Sequence, residues 1–279
     1  MTRPRRADVR RTLATPRRLP PPPGDVRLSV VVPAYREPAI GTTVERIRAE
    51  LSSVDADGGL EIVVVDDGSG DGTDAAARAA GADVVLALPV NGGKGAAVRA
   101  GVLAAKGRTI AFTDADLSYA PAQIERLVVA IEDGWDVVVG NRHDERSTTL
   151  VAAGTLRRLG GRVINLATRA VLVAPHADTQ CGLKAFRSDV AHAVFAHSTI
   201  DGFAFDVEVI HLVERWGLSL REVEVEVTNS DRSTVNVARD AVALLADLVR
   251  IRAGAARGAY ELGPDERRAL SLGPPDAAE

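Results

Sequence analysis

The chain has 279 residues, of which 46% are hydrophobic and 26% charged, enough apolar content for a single sizeable core carrying appendages. A formal net charge of −4 excludes a nucleic-acid binder that relies on global positive charge. The lone cysteine, Cys181, excludes an internal disulfide and a cysteine-rich zinc site, and no run approaches the ~18 consecutive apolar residues that span a bilayer.

Residues 1–18 carry seven arginines (Arg3, Arg5, Arg6, Arg10, Arg11, Arg17, Arg18) against one acid, Asp8. Pro20 to Pro23 follow, where an export signal would place an apolar segment, and stiffen the chain as polyproline II. Residues 1–25 therefore read as a disordered basic arm, either a solvated tail or an anchor on an anionic membrane surface. Leu28 to Val32 is apolar enough for a strand buried on both faces, and Pro33-Ala34-Tyr35-Arg36-Glu37 is its loop. Val44, Ile47, Leu51 and Val54 share one helical face, ended by Asp57-Gly58-Gly59. A second strand, Glu61 to Val65, runs into Asp66-Asp67-Gly68-Ser69-Gly70-Asp71-Gly72-Thr73, which opens an alanine-rich helix stopped at Gly81. A third, Val84 to Leu88, reaches Asn91-Gly92-Gly93-Lys94-Gly95 and a helix to about Lys106. The fourth is Ile110 to Thr113, and Asp114-Ala115-Asp116-Leu117-Ser118 follows it.

Further on, Pro121 suits the first turn of a helix reaching Asp133, and Trp135 to Val139 reads as a strand ending at Gly140-Asn141-Arg142. Leu156, Leu159, Val163, Leu166 and Ala170 have helical spacing with Arg157, Arg158, Arg162 and Arg169 around them, a helix that packs on the core or lies on lipid. Ser188 is placed to cap a short helix, and Phe205 to Trp216 forms another, ended by Gly217. Arg221 to Val227 alternates as a strand with one wet face, and Ala238 to Arg252 is a last amphipathic helix. Residues 258–279 read as a disordered tail of Gly, Pro, Ala and acid.

Strand, loop and helix repeated in this way predict one α/β domain over residues 26–257, a mostly parallel sheet with flanking helices. Each polar cluster falls just after a strand, and ligands of open α/β sheets bind beyond the carboxyl ends of the strands. Tyr35, Glu37, Asp66, Asp67, Lys94, Asp114 and Asp116 should therefore share one cleft. At a strand end Asp114 and Asp116 point the same way, and two such carboxylates suit Mg²⁺ or Mn²⁺; a solvated turn would carry the same letters. The glycines at 68, 70 and 72 do not form a dinucleotide site, because the two carboxylates before them would repel a pyrophosphate. A phosphatase with an aspartyl nucleophile would carry Asp-x-Asp after its first strand, and here it follows the fourth. The five histidines show no ligand spacing, and Cys181 reads as a small buried residue.

In this order, the five clusters at 33–37, 66–73, 91–95, 114–118 and 140–142 resemble the inverting GT-A glycosyltransferases of family two. Asp178-Thr179-Gln180-Cys181-Gly182 and Phe203-Ala204-Phe205-Asp206-Val207-Glu208 look like those of the polyprenyl-phosphate sugar transferases, the dolichyl-phosphate β-glucosyltransferases above all. The resemblance covers about residues 28–252. It implies that Pro33, Tyr35, Glu37 and Asp67 hold the nucleoside of a UDP-glucose or GDP-mannose donor, that Asp66 and Lys94 border it, and that Asp114 and Asp116 hold Mg²⁺ or Mn²⁺ on the diphosphate. Arg142 matches a phosphate contact. Arg232 stands where relatives have a lysine and is expected to replace it, and Phe203 stands where they have tryptophan. Asp206 or Glu208 would serve as base for a hydroxyl acceptor, or both are ordinary helix acids.

For the acceptor, Arg142, Arg157, Arg158 and Arg232 would bracket phosphates beside the apolar face of Leu159, Val163 and Leu166. This half also holds only one tryptophan, Trp216, and one tyrosine, Tyr260, where a soluble glycan would want aromatic platforms. The expectation is a polyprenyl phosphate acceptor and a cytoplasmic protein peripheral to the inner face of the membrane. A GT-A transferase acting on a sugar or other hydroxyl, or a silent binding module, is the alternative.

Overall fold

The computed structural model describes residues 14–22, 24–142, 172, 181–228 and 237–273, the side chains of 237–241 excepted. Strands β1 (Val26–Ala34), β2 (Leu60–Asp66), β3 (Val84–Ala87), β4 (Gly107–Phe112), β5 (Val137–Asn141), β6 (Lys184–Arg187) and β7 (Leu220–Glu224) form one sheet in the order β3-β2-β1-β4-β6-β5-β7. Around it lie α1 (Ile40–Glu50), α2 (Ser52–Ala56), α3 (Thr73–Ala79), α4 (Lys94–Ala104), α5 (Ile124–Glu132), α6 (Ser188–His197), α7 (Phe205–Trp216), α8 (Val237–Ala256) and α9 (Pro264–Ala269). The valine-rich centres of β1, β2 and β5 are buried on both faces, which is what a mostly parallel sheet covered by helices requires. The expected α/β architecture is thus the observed one.

Two features of the sheet make the site. First, β1 pairs with β2 as far as Ala34 opposite Asp66, but its ladder with β4 stops at Val31 opposite Phe112, closed by the Thr113 N–H on the Val31 carbonyl at 3.1 Å. Successive residues face opposite neighbours, so the next position facing β4 is Pro33, which has no N–H to give. A crevice opens there, where the strand order reverses. Second, β6 runs antiparallel between β4 and β5, with Lys184 opposite both Phe112 and Val139. That direction delivers the start of β6 to the carboxyl ends of β4 and β5.

Several boundaries differ from the reading of the sequence. The helix expected across Leu51 is broken there into α1 and α2. Ser188 begins α6 but makes no capping hydrogen bond, and the strand after Arg221 ends at Glu224. The helix expected around Leu156 to Ala170 lies outside the described residues.

Both ends of the fold reach beyond the expected limits of 26 and 257. Arg17 holds the buried Asp136 with Nε–Oδ2 at 2.6 Å and Nη2–Oδ1 at 2.8 Å, and donates to the Leu270 carbonyl at 2.7 Å. Arg187 donates to the Pro20 carbonyl at 2.9 Å. At the other end Tyr260 is buried, with its hydroxyl on Glu208 at 2.7 Å and its carbonyl accepting the Trp216 indole N–H at 2.8 Å, and α9 follows. An arginine on a buried carboxylate is a strong tether, because removing it leaves a desolvated charge. Asp136 would keep the Ser219 N–H and hydroxyl. Arg17→Ala should therefore cost about 2 kcal/mol in chemical denaturation, with donor binding unchanged.

Candidate active site

The loops after β1, β2 and β3 are tied to one another by backbone amides. Asp66 accepts the Ser69 N–H at 3.1 Å, and Ser69 Oγ accepts the Arg36 N–H at 2.7 Å, joining the turn after β2 to the loop after β1. Asp67 accepts the Gly92 N–H at 2.7 Å and the Gly93 N–H at 2.8 Å, one on each oxygen, joining it to the loop after β3. Burial pushes the Asp67 carboxyl above its ordinary range, against the pull of these two amides. Asp66 and Asp67 are both buried. They shape the wall of the crevice from behind. Of the residues expected beside them, Tyr35 is 46% exposed at the end of β1, and Glu37, half-buried, accepts the Ala39 N–H at 3.1 Å.

The glycine run before α4 is occupied by protein. The Asp201 carbonyl accepts the Gly95 N–H at 2.7 Å and the Ala96 N–H at 3.3 Å, so these first-turn donors of α4 are satisfied internally. A Cβ on Gly95 would collide with the Ile200 carbonyl and stand 2.7 Å from Phe205 Cβ, so only glycine lets the loop before α7 dock here. With α4 so fixed, Lys94 reaches across to Asp114, Nζ–Oδ1 2.5 Å. Burial alone would push the Lys94 ammonium down, but Asp114, Asp206 and Asp116 outweigh it and hold it above its ordinary value.

Asp116 is exposed, and its Oδ1 accepts the Ser118 N–H at 3.0 Å and hydroxyl at 2.9 Å across a turn in which Leu117 takes a left-handed φ of 49°. Ser118 thus sets the rotamer of Asp116. Asp114 and Asp116 make a hard, two-carboxylate donor set of the kind that suits Mg²⁺ or Mn²⁺ when phosphates and water supply the remaining ligands. Among the described residues no group of three or more His, Cys, Asp or Glu is arranged to hold a metal unaided.

The floor is built by residues from β6 and α7, and the sequence reading missed its cation. Lys184 is fully buried, with Nζ 2.5 Å from Asp206 Oδ1, 2.6 Å from the Cys181 carbonyl and 5.4 Å from the centre of the Phe112 ring. Its signal was a single lysine inside the apolar run Leu183 to Phe186. Burial pushes Asp206 above the usual carboxylate range, against Lys184 and Lys94. Glu208 is not part of the site: it accepts Thr199 N–H and hydroxyl, Ile200 N–H and the Tyr260 hydroxyl, all between 2.7 and 3.0 Å. Arg142 follows β5, near enough to the Tyr119 hydroxyl for its charge to act there, although burial still pushes that phenol up. Cys181 is buried, as expected. Arg157, Arg158 and Arg232 lie outside the described residues.

Gly182 backs Asp114. Its N–H donates to the Tyr119 hydroxyl at 3.4 Å, and a Cβ there would fall on Asp114 Oδ2. Gly182→Ala should displace that carboxylate from Lys94 and lower turnover about 10²-fold, read by steady-state kinetics, since misplacement of about 1 Å costs that much.

The family model for glycosyl transferase family 2 matches residues 29–195. The chain is 30% identical over 246 residues to a dolichyl-phosphate β-glucosyltransferase of Dictyostelium discoideum, across 83% of this chain and 75% of that protein. To the enzyme of that name from Drosophila melanogaster it is 31% identical over 226 residues, 75% of this chain and 69% of that one. Glucosyl-3-phosphoglycerate synthase from Mycobacterium tuberculosis, solved with Mn²⁺, UDP-glucose and phosphoglyceric acid, superposes with a TM-score of 0.59 at 25% identity, over 81% of this chain and 79% of that one. This last likeness corrects the expected polyprenyl phosphate acceptor, because the ligands it pairs with a sugar nucleotide include a small hydroxy acid and no lipid. The expected anionic membrane surface is corrected with it, since it was the partner of that lipid acceptor; Arg17 of the basic arm is engaged by Asp136, and among the described residues no helix is long and apolar enough to cross a membrane. The chain is related to both kinds of enzyme, and it belongs to glycosyl transferase family 2.

Proposed function

We propose that this glycosyltransferase moves a hexose from a nucleotide sugar, UDP-glucose ahead of GDP-mannose, to a hydroxyl group of a small acceptor in a metal-dependent reaction. The observation that carries the reading is the convergence of Asp114, Asp116, Lys94 and Asp206 at the crevice beside β4. UDP-glucose and a hydroxy acid are what the synthase with TM-score 0.59 holds.

In this reading Tyr35, exposed at the end of β1, offers its ring to the base, while Pro33 and Glu37 border the nucleoside. Asp66 and Asp67 hold the loops that enclose it. Asp114 and Asp116 hold Mg²⁺ or Mn²⁺, which neutralises charge on the leaving diphosphate when bound. Lys94 adds a fixed positive charge from the protein, and Arg142 and Arg232 are the further phosphate contacts. A hydroxyl acceptor must lose its proton during transfer, and Asp206 is the carboxylate placed to take it. Burial raises its proton affinity, which suits a base, whereas both oxygens of Glu208 are already taken by donors.

The test is turnover of UDP-glucose with Mn²⁺ against a panel of hydroxyl acceptors, phosphoglyceric acid and neutral sugars included. UDP release should match glycoside formed, stop with chelator and resume on adding Mn²⁺. Asp116→Asn and Asp206→Asn should each lower transfer by about 10²-fold or more while the fold is retained. Transfer to phosphate oxygens alone, or wild-type turnover by Asp116→Asn at limiting Mn²⁺, would overturn the reading.

A further inference from the structure

Lys184 stands in a strand position where its neighbours Leu183, Ala185 and Phe186 are all fully buried, so an apolar side chain would satisfy packing there. An ammonium at that depth is unfavourable unless its partners are fixed and its donors used. Both conditions hold. Two of its three N–H donors go to the Cys181 carbonyl at 2.6 Å and to Asp206 Oδ1 at 2.5 Å, and its charge lies 5.4 Å from the Phe112 ring centre. The carbonyl and the ring belong to the sheet and its immediate lead-in, so the ammonium is pinned from one side and Asp206 is held from the other. Among the described residues no hydrogen-bond partner falls on Asp206 Oδ2.

The charges alternate outward from this point. Lys184 meets Asp206, Asp206 acts on Lys94, and Lys94 meets Asp114. Without the inner ammonium, Asp206 and Asp114 would compete for Lys94 alone. Asp206 would then take a proton or turn from the orientation that Lys184 gives it.

We propose that Lys184 is a positioning residue of this enzyme, one that fixes Asp206 through Oδ1 so that Oδ2 is presented to the acceptor hydroxyl. The inference rests on the reading above that Asp206 receives the acceptor's proton. Lys184 touches neither donor nor acceptor. Its effect should therefore appear in kcat, with the KM for the nucleotide sugar unchanged, and should vanish when Asp206 is already disabled.

The experiment is a double-mutant cycle of Lys184→Met and Asp206→Asn. The double variant replaces a buried ion pair by two neutral side chains of similar size, so it keeps the core filled even where Lys184→Met alone folds poorly. Lys184→Met should lower kcat about 10²-fold with donor KM within about threefold of wild type. The double variant should have the kcat of Asp206→Asn alone. A further fall in the double variant would show that Lys184 supports the fold and not Asp206, and would overturn the inference. Wild-type kcat in Lys184→Met, with Asp206→Asn impaired, would overturn it while leaving the base assignment intact. Wild-type kcat in Asp206→Asn would remove the base assignment and the inference together.

Discussion

The Asp114 carboxylate sits between the Lys94 ammonium and the bare α-carbon of Gly182, and the rest of the site depends on that confinement. Three carboxylates, Asp114, Asp116 and Asp206, act on Lys94 from one crevice, and like charges this close raise one another's proton affinity unless cations stand among them. Lys184 stands behind Asp206, and Lys94 is the cation that all three share. Its position is set by the first turn of α4, whose amides are closed by Asp201 and whose Gly95 admits the loop before α7. Gly182 is set by the antiparallel course of β6, and the room for a ligand by Pro33, where the pairing of β1 with β4 gives out. Sheet topology and two or three backbone contacts thus decide where charge can collect.

Much of this was legible in the sequence because it is local. Runs of valine and isoleucine between glycine-rich turns mark the first four strands, helical spacing marks α1, Pro121 marks the start of the helical stretch that contains α5, Gly217 marks the end of α7, and strand order alone predicts that the carboxyl ends converge. What was not legible is whatever depends on a distant partner. Asp66 and Asp67 follow a strand as ligand-holding acids do, but the amides that capture Asp67 belong to Gly92 and Gly93, in another loop. β6 has four residues, a lysine among them, and exists because β4 and β5 each offer it an edge. Composition likewise described the ends as disordered, whereas Arg17 finds Asp136 at a separation of 119 residues and Tyr260 finds Glu208 at 52.

The acceptor was misread for a related reason. Arginines beside an apolar helical face suggest a site for a lipid phosphate, yet long cationic side chains cover apolar surface in any protein while their heads stay in water. Mixed charge and hydrophobicity along a helix therefore does not distinguish a lipid site from an ordinary surface. The arginines that reading leaned on most, Arg157 and Arg158, lie outside the described residues. Two described arginines outside that reading, Arg17 and Arg187, serve buried carboxylate and carbonyl groups at the end of the sheet away from the crevice.

Asp206 and Glu208 show how the same chemistry is divided by geometry. Two residues apart on α7, they point roughly 200° from each other around the helix axis. Both are buried, and both need compensation for the loss of water. Glu208 receives it from Thr199, Ile200 and Tyr260, donors that engage both oxygens, so the carboxylate is fully satisfied and closes the α6–α7 loop onto the C-terminal segment. Asp206 receives one hydrogen bond, from Lys184 on Oδ1, with the charge of Lys94 acting beside it. A buried carboxylate with every lone pair engaged has nothing left to offer a proton, whereas one with a single hydrogen-bonded donor keeps acceptor capacity. On the reading proposed above, the difference between a tie and a base is set by where the donors stand, and for these two carboxylates they stand on opposite sides of one helix.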